Sequence, residues 1–171
     1  MQIRKSTLED LNKIQQLYKT VARRSGGIAR KEHEILESYI YNFLSKSLTN
    51  GCSMVAEEAG EIVAEVHTYS LGIECFTHLF GDTTICVHPD YQGKGVGKRL
   101  FTALLEYVQT ERKDILRVEL HARESNPTAI ELYKKIGFKV EGRAEGRVLD
   151  PDGSIVADVP MGWLNPNFQR P

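Results

Sequence analysis

A cluster of glycines and basic residues at positions 93–99 is the part of the sequence best suited to chemistry. It follows an apolar run that ends at Val87, and it reads GKGVGKR. Glycines let backbone N–H groups approach an anion closely, and the first turn of a helix carries unpaired N–H donors and partial positive charge. The cluster therefore predicts a phosphate or pyrophosphate site, to which Lys94, Lys98 and Arg99 add positive charge.

Two common phosphate-binding motifs do not fit this cluster. A Walker A loop needs a glycine at position 92 and a Ser or Thr at position 99, where the sequence has Gln92 and Arg99. The dinucleotide fingerprint G-x-G-x-x-G fails as well, because its last glycine would fall on Lys98 or Leu100. Neither a P-loop nor a Rossmann site is expected.

A third pattern, Q/R-x-x-G-x-G/A, does fit, and a second element follows it at a suitable distance. The loop pattern is filled by Gln92, Gly95 and Gly97. The second element, N-x-x-A-x-x-x-Y-x-x-x-G-F, is matched at Asn126, Ala129, Tyr133, Gly137 and Phe138. With both elements present, the sequence resembles the GCN5-related N-acetyltransferase (GNAT) superfamily over about residues 55 to 162. The C-terminal part is similar to the bacterial branch that acetylates free amino acids and small amines.

The resemblance implies that the glycine loop binds the pyrophosphate of acetyl-coenzyme A (acetyl-CoA) through backbone amides. The residues it implies as contacts for this cosubstrate are Ile85, Val87, Gln92, Gly93, Lys94, Gly95, Val96, Gly97, Lys98, Asn126 and Tyr133. Asn126 has a second interpretation, as the N-cap of the helix that starts at Pro127. No metal site is expected, because the three cysteines are far apart and form no C-x-x-C pair.

The reaction implied by the resemblance is direct transfer of an acetyl group from acetyl-CoA to a primary amine. Tyr133 stands where the family usually keeps its general acid, which protonates the CoA sulfur. The alternative for Tyr133 is an aromatic residue that packs against the sheet, and the two roles are compatible. Cys86 invites a covalent acetyl-enzyme route, although a free cysteine on a strand is more commonly a buried core residue.

The general base is less well defined by the sequence. Many relatives have a Glu on the strand before the glycine loop, where this chain has only Asp82. Other candidates are Glu65 and His67 on the preceding strand and His121 on the following one. Glu65 is kept as the working candidate, and the others stay open.

The acceptor is expected to be a small-molecule amine or an amino acid. A protein N-terminus or lysine is the enzymatic alternative, and a non-catalytic acyl-CoA-binding module is the alternative from another class. The acceptor pocket should come from the variable parts of the chain, at 23–50, 69–80 and 143–156. The resemblance is also compatible with a homodimer.

The composition limits the class of protein that this chain can be. The chain has 171 residues, 41% of them hydrophobic, and its 22 Lys and Arg against 23 Asp and Glu give a net charge of -1. That length favours one domain over 1–171, and the balanced charge argues against a nucleic-acid-binding surface. The N-terminus has no apolar segment typical of a signal peptide, and no apolar run reaches the ~18 residues of a membrane helix. We therefore expect a cytoplasmic protein.

The elements that position these residues follow the order β-α-α-β-β-β-α-β-α-β-β. The predicted strands cover 2–5, 53–57, 62–68, 82–87, 115–122, 138–141 and 155–163. The predicted helices run from Thr7 to a break at Gly26-Gly27, over 31–47, from the glycine cluster onwards, and over 127–136. Segment 69–80 is expected to be irregular and the tail 165–171 frayed.

This order predicts an α/β fold with a mixed sheet. Two strand–helix–strand passages in the middle predict parallel pairing, and the hairpins around them predict antiparallel pairing. The resemblance sharpens this to a mostly antiparallel sheet with one splayed parallel pair and about four flanking helices.

Overall fold

The computed structural model describes residues 1–24 and 27–170, and its strands form one eight-stranded mixed sheet. The strands are β1 (Gln2–Lys5), β2 (Gly51–Glu58), β3 (Glu61–Tyr69), β4 (Leu79–Val87), β5 (Arg117–Arg123), β6 (Lys139–Val140), β7 (Ala144–Leu149) and β8 (Ile155–Leu164). Their order is β1-β2-β3-β4-β5-β8-β6, and β7 also pairs with β8. The β4–β5 pair is parallel and the other described pairs are antiparallel, so the predicted fold class is confirmed.

Among the described residues, four α-helices cover the sheet, as the resemblance implied. They are α1 (Leu11–Ala22), α2 (Glu37–Asn50), α3 (Val96–Glu111) and α4 (Pro127–Lys135). Helix α2 begins later than predicted because a separate 3-10 turn at Glu32–Glu34 precedes it, closed by a hydrogen bond from Lys31 N to Glu34 Oε2 at 2.7 Å. Of the predicted break at Gly26-Gly27, Gly26 lies outside the described residues.

The core has two parts, one on each face of the sheet. Helices α1 and α2 pack on one face against side chains such as Val55 and Cys86. Helix α3 packs on the other face, against side chains such as Phe80 and Val118. The apolar positions predicted to face inward on α3 are all buried: Val96, Leu100, Phe101, Leu104, Leu105 and Val108. The helical periodicity therefore oriented α3 correctly.

Strands β4 and β5 separate before either ends. Their last paired residues are Thr83 and Leu120, and a bulge lies just before Thr83. Within this bulge Asp82 has φ 49°, a left-handed conformation that is unusual for a residue other than glycine. Beyond Thr83 the two strands continue without pairing with each other, so that a gap opens in the sheet.

The second strand–helix–strand passage does not give the neighbouring parallel pair that was predicted. Strands β5 and β6 run in the same direction, but β8 lies between them and is antiparallel to both. Strand β7 was also missed by the sequence analysis. Most of its residues are exposed on a hairpin arm, so its sequence lacks the apolar pattern that predicts a buried strand.

The tail is attached to the domain, so the expectation that it frays is wrong for residues 165–169. Asn165 is buried, and its Nδ2 donates to the carbonyl oxygens of Ile115 at 2.9 Å and Val108 at 3.3 Å. The backbone N–H of Gln169 donates to Lys113 O at 2.8 Å. These bonds cap the end of α3. No local pattern in the tail sequence predicts them. Within the described residues, every helix is too short or too polar to cross a bilayer.

Candidate active site

The gap between β4 and β5 opens into a cleft of about 960 Å³ on the α3 side of the sheet. Every residue predicted to contact the cosubstrate lines this cleft except Lys94: Ile85, Val87, Gln92, Gly93, Gly95, Val96, Gly97, Lys98, Asn126 and Tyr133. Lys94 is exposed, and its Nζ lies 5.5 Å from the centre of the Tyr91 ring. The structure therefore brings the two sequence elements together in one place.

Two glycines give the loop its shape. Gly93 and Gly95 have φ of 72° and 78°, in the left-handed region that other L residues rarely adopt. A Cβ added to either would meet no atom within 4 Å, so both face open space in the protein. Gly95 is the N-cap of the 16-residue helix α3, whose first N–H groups thus end beside the cleft. This arrangement suits a bound anion.

A third glycine holds α3 close to the strand. A Cβ on Gly97 would lie 3.3 Å from a methyl carbon of Val87. The loop is also tied to the strand by Gln92, whose Nε2 donates to the carbonyl oxygen of Val87 at 3.0 Å. Gln92 therefore positions the loop, in addition to lining the cleft.

Asn126 and Tyr133 lie at the start and near the end of α4. Asn126 Oδ1 accepts a hydrogen bond from Ala129 N at 3.1 Å, so the helix-capping interpretation is correct, and a contact with a cosubstrate carbonyl would have to use Nδ2. Tyr133 is 9% exposed and packs edge-to-face on Phe101 with ring centres 5.7 Å apart. Its burial raises the pKa of the phenol to about 12. The side chain thus packs in the core and also faces the cleft.

The lining of the cleft fits the parts of acetyl-CoA. Ile85 and Val87 provide an apolar wall for an uncharged arm. Arg24, Lys98 and Lys135 contribute basic groups, which suit phosphates. No sequence signal indicated either Arg24, which lies just beyond the C-terminal end of α1, or Lys135, since residues two apart on a helix, such as Tyr133 and Lys135, do not share a face.

The structure argues against Glu65 as the general base. Glu65 is 0% exposed and lies outside the cleft lining. Its Oε1 accepts from Ser53 Oγ at 2.8 Å, and its Oε2 accepts from Tyr18 OH at 2.7 Å and lies 3.1 Å from His67 Nδ1. His67 is equally buried and stacks on Phe43 with ring centres 3.9 Å apart. Neither side chain is accessible to an amine.

The two other candidates are accessible. Asp82 is exposed in the β4 bulge, where it helps burial to raise the pKa of the Tyr69 phenol above its usual range. His121 on β5 has a side chain that is 48% exposed, and its Nδ1 lies 3.0 Å from Asp158 Oδ2. The role of Asp158 as the partner of His121 was not predicted, because the two residues are brought together only by the β5–β8 pairing.

Cys86 is unsuited to covalent catalysis. It is buried on the face covered by α1 and α2. Burial, and then the nearby charge of Glu65, raise the pKa of its thiol well above the usual range. Because the thiolate is the nucleophilic form, the structure favours the interpretation of Cys86 as a core residue.

Comparison with known proteins agrees with the geometry of the cleft. Residues 49–140, more than half of the chain, match the family model described as the acetyltransferase (GNAT) domain. L-amino acid N-acyltransferase MnaT of Escherichia coli is 25% identical over 160 residues, which cover 88% of this chain and 90% of that enzyme. Spermidine N(1)-acetyltransferase of Vibrio cholerae is 33% identical over 67 residues, 39% of this chain.

The chain spans less than half the length of some of these relatives, with 38% of the spermidine enzyme covered. Among solved structures, yncA from Salmonella typhimurium, described as an acetyltransferase with its cofactor acetyl-CoA, superposes with a TM-score of 0.85 at 19% identity. That superposition covers 100% of this chain and 97% of the other. Family model, topology and cleft agree, and the chain belongs to the GNAT acetyltransferase family.

Proposed function

We propose that this protein transfers the acetyl group of acetyl-CoA to a primary amine of a small molecule or an amino acid, by direct attack within a ternary complex. The observation that carries the proposal is the cleft, which joins the glycine loop, the open edge of β4 and Tyr133 in one continuous surface. Relatives named for N-acylation of L-amino acids and acetylation of spermidine support an amine as the acceptor.

The N–H groups around Gly93, Gly95 and Gly97 would bind the pyrophosphate, and Lys98 would add a positive charge. Beyond Thr83 the backbone of β4 that faces the gap has no pairing partner in β5. The amide groups of the pantetheine arm can bind there as an added strand would. Such pairing would align the arm along Ile85 and Val87 and bring backbone N–H groups near Val87 to the thioester carbonyl, where they stabilise the developing oxyanion.

Tyr133 would assist departure of the CoA sulfur. A phenol with a pKa near 12 keeps its proton throughout the neutral range, so it is always in the acid form. A thiol has a pKa near ~8.5, so complete proton transfer from this phenol to the thiolate is uphill. Hence Tyr133 acts first by donating a hydrogen bond as charge develops on the sulfur, and transfer is completed as solvent restores the phenol proton.

The test is an acetyl-CoA-dependent screen of amines and amino acids, read by mass spectrometry and by release of CoA. We expect acetylation of one acceptor class, and we expect Tyr133→Phe to lower kcat on the order of 100-fold. Tyr41→Phe, on the exposed face of α2, is the matched control and should leave kcat unchanged. If the protein binds acetyl-CoA but releases no CoA with any amine, the proposed function is wrong.

A further inference from the structure

The exposed face of β5 carries a histidine that is held by a carboxylate. Val118, Leu120 and Ala122 on β5 are buried against α3, so His121 between them points to the opposite face of the sheet. Its Nδ1 lies 3.0 Å from Asp158 Oδ2 on the neighbouring strand β8. The Asp158 side chain is only 10% exposed, whereas that of His121 is 48% exposed. One partner is therefore fixed and the other is accessible.

The hydrogen bond determines which ring nitrogen is free. A carboxylate can only accept, so Nδ1 of His121 carries the proton and donates it to Asp158. Nε2, on the far side of the ring, then keeps its lone pair. Arg147 Nε lies 3.1 Å from the same Asp158 oxygen and fixes the carboxylate from β7. This is the arrangement in which an imidazole acts as a general base.

The position of His121 relates this pair to the cleft. It is the residue directly after Leu120, which forms the last β4–β5 pair with Thr83. The gap begins at this point. His121, like Glu65, does not line the cleft itself. Unlike Glu65 it is accessible, because it lies beside the gap on the opposite face of the sheet. An amine that approached a thioester through the gap from that face would meet the imidazole.

The charged groups around His121 come from each neighbouring strand. Asp158 and Arg147 face it from β8 and β7, and Asp82 of β4 lies close enough to Tyr69 to raise the pKa of that phenol. On β5 itself, the three other charged residues on the same face are already in ion pairs, Arg117 with Glu119 and Arg123 with Asp150. His121 is thus an accessible imidazole among charged groups that are paired with one another.

We propose that His121, positioned by Asp158, is the general base of the acetyl transfer. The assignment rests on the proposed function. His121 Nε2 takes one proton from the ammonium form of the acceptor, and the neutral amine attacks the thioester carbonyl. The N–C bond forms as the C–S bond breaks. The nitrogen loses a second proton as the amide forms, and the CoA sulfur gains one proton through Tyr133. His121 then releases its proton to solvent. The products are therefore the amide, the CoA thiol and one proton.

The test compares His121→Gln and Asp158→Asn with Glu119→Gln, a matched control on the same strand and face. The readouts are kcat/KM for the amine across pH 6 to 10 and the Kd of acetyl-CoA. We expect His121→Gln to lose about 100-fold in kcat/KM near pH 7, with the Kd of acetyl-CoA unchanged. The difference in kcat/KM between the wild type and His121→Gln should narrow toward pH ~10, because the amine is then already neutral in solution.

Asp158→Asn should also lower kcat/KM, and the double variant should be no worse than His121→Gln alone, because Asp158 acts through the imidazole. Since Asp158 is nearly buried, thermal denaturation checks that this variant is folded, and His121→Gln tests the proposal without it. A His121→Gln profile within twofold of the Glu119→Gln profile at every pH would overturn this assignment alone. A wild-type protein without acetyl transfer to any amine would overturn the proposed function itself.

Discussion

The side-chain amide of Gln92 donates a 3.0 Å hydrogen bond to the backbone carbonyl of Val87, the last residue of β4. The bond joins the first residue of the glycine-loop pattern to the strand along which the cosubstrate arm is proposed to lie. It therefore fixes the distance between the anion-binding loop and the apolar wall of the cleft.

Gln92→Ala should weaken acetyl-CoA binding. A hydrogen bond of this kind contributes about 0.5–1.5 kcal/mol, which corresponds to a Kd about 2- to 10-fold higher. Isothermal titration with acetyl-CoA measures the change. Gln16→Ala, on the exposed side of α1, is the control and should leave the Kd as it is. An unchanged Kd for Gln92→Ala would show that the loop keeps its place without this bond.

Gly95→Ala tests the loop conformation. An alanine in the left-handed region costs about 1–2 kcal/mol of folding free energy. Gly60 in the β2–β3 turn has φ 84° and equally open surroundings, so Gly60→Ala carries the same backbone cost far from the cleft. We expect both variants to unfold at similarly lower urea concentrations. Only Gly95→Ala should also weaken acetyl-CoA binding, by about tenfold or more, because it moves the N–H groups at the start of α3. Equal acetyl-CoA affinities for the two would contradict the assignment of the loop.

Glu65→Gln separates a structural role from a catalytic one. The amide would turn an N–H group toward one of the hydroxyls that now donate to Glu65, from Tyr18 or Ser53. A buried mismatch of this kind costs about 1–3 kcal/mol, to be measured by urea denaturation. We expect kcat/KM of the folded enzyme to stay within about twofold of the wild type. Glu61→Gln, exposed on the same strand, controls for the loss of one charge. A large fall in kcat with an unchanged free energy of unfolding would contradict this and would identify Glu65 as the general base.

Stability should decline at alkaline pH. Burial raises the pKa of Tyr133 from 10.0 to about 12 and that of the Cys52 thiol from 9.0 to about 12. Their contributions are complete below the unfolded-state values and are lost as pH rises toward 12, because only the unfolded chain ionises easily. For Tyr133 the shift corresponds to about 3 kcal/mol at most.

Urea denaturation between pH 8 and 11 measures this decline, which should begin near pH 9 and steepen above pH 10. Tyr133→Phe should make the curve above pH 10 shallower, because a phenyl ring does not ionise. A free energy of unfolding that stays constant from pH 8 to 11 would contradict the buried, protonated state of these groups.

Much of the candidate cosubstrate site could be predicted because the cleft is lined by residues that belong to short-range patterns. The glycine loop and the inward face of α3 follow from residue types and helical spacing within about one segment. The same holds for Asn126 and Tyr133, which one short helix carries. Of the predicted contacts, Lys94 is the one that does not line the cleft, and its Nζ lies 5.5 Å from the centre of the Tyr91 ring.

The general base could not be predicted in this way. The four candidates are all acidic or imidazole residues on strands: Glu65, His67, Asp82 and His121. Nothing in the sequence pattern distinguishes the accessible ones from the buried ones. Their accessibility depends on which helices cover which face of the sheet. Helices α1 and α2 cover Glu65 and His67, and they leave His121 uncovered beside the gap.

The sequence by itself determined the glycine loop as the candidate anion site, the family resemblance and most of the elements, because glycine conformations, caps and periodicity act between near neighbours in the chain. Only the tertiary structure decided that β8 lies between β5 and β6, that the tail caps α3, and that Asp158 meets His121. These are contacts between residues far apart in sequence. They depend on strand pairing and burial, which no local pattern encodes.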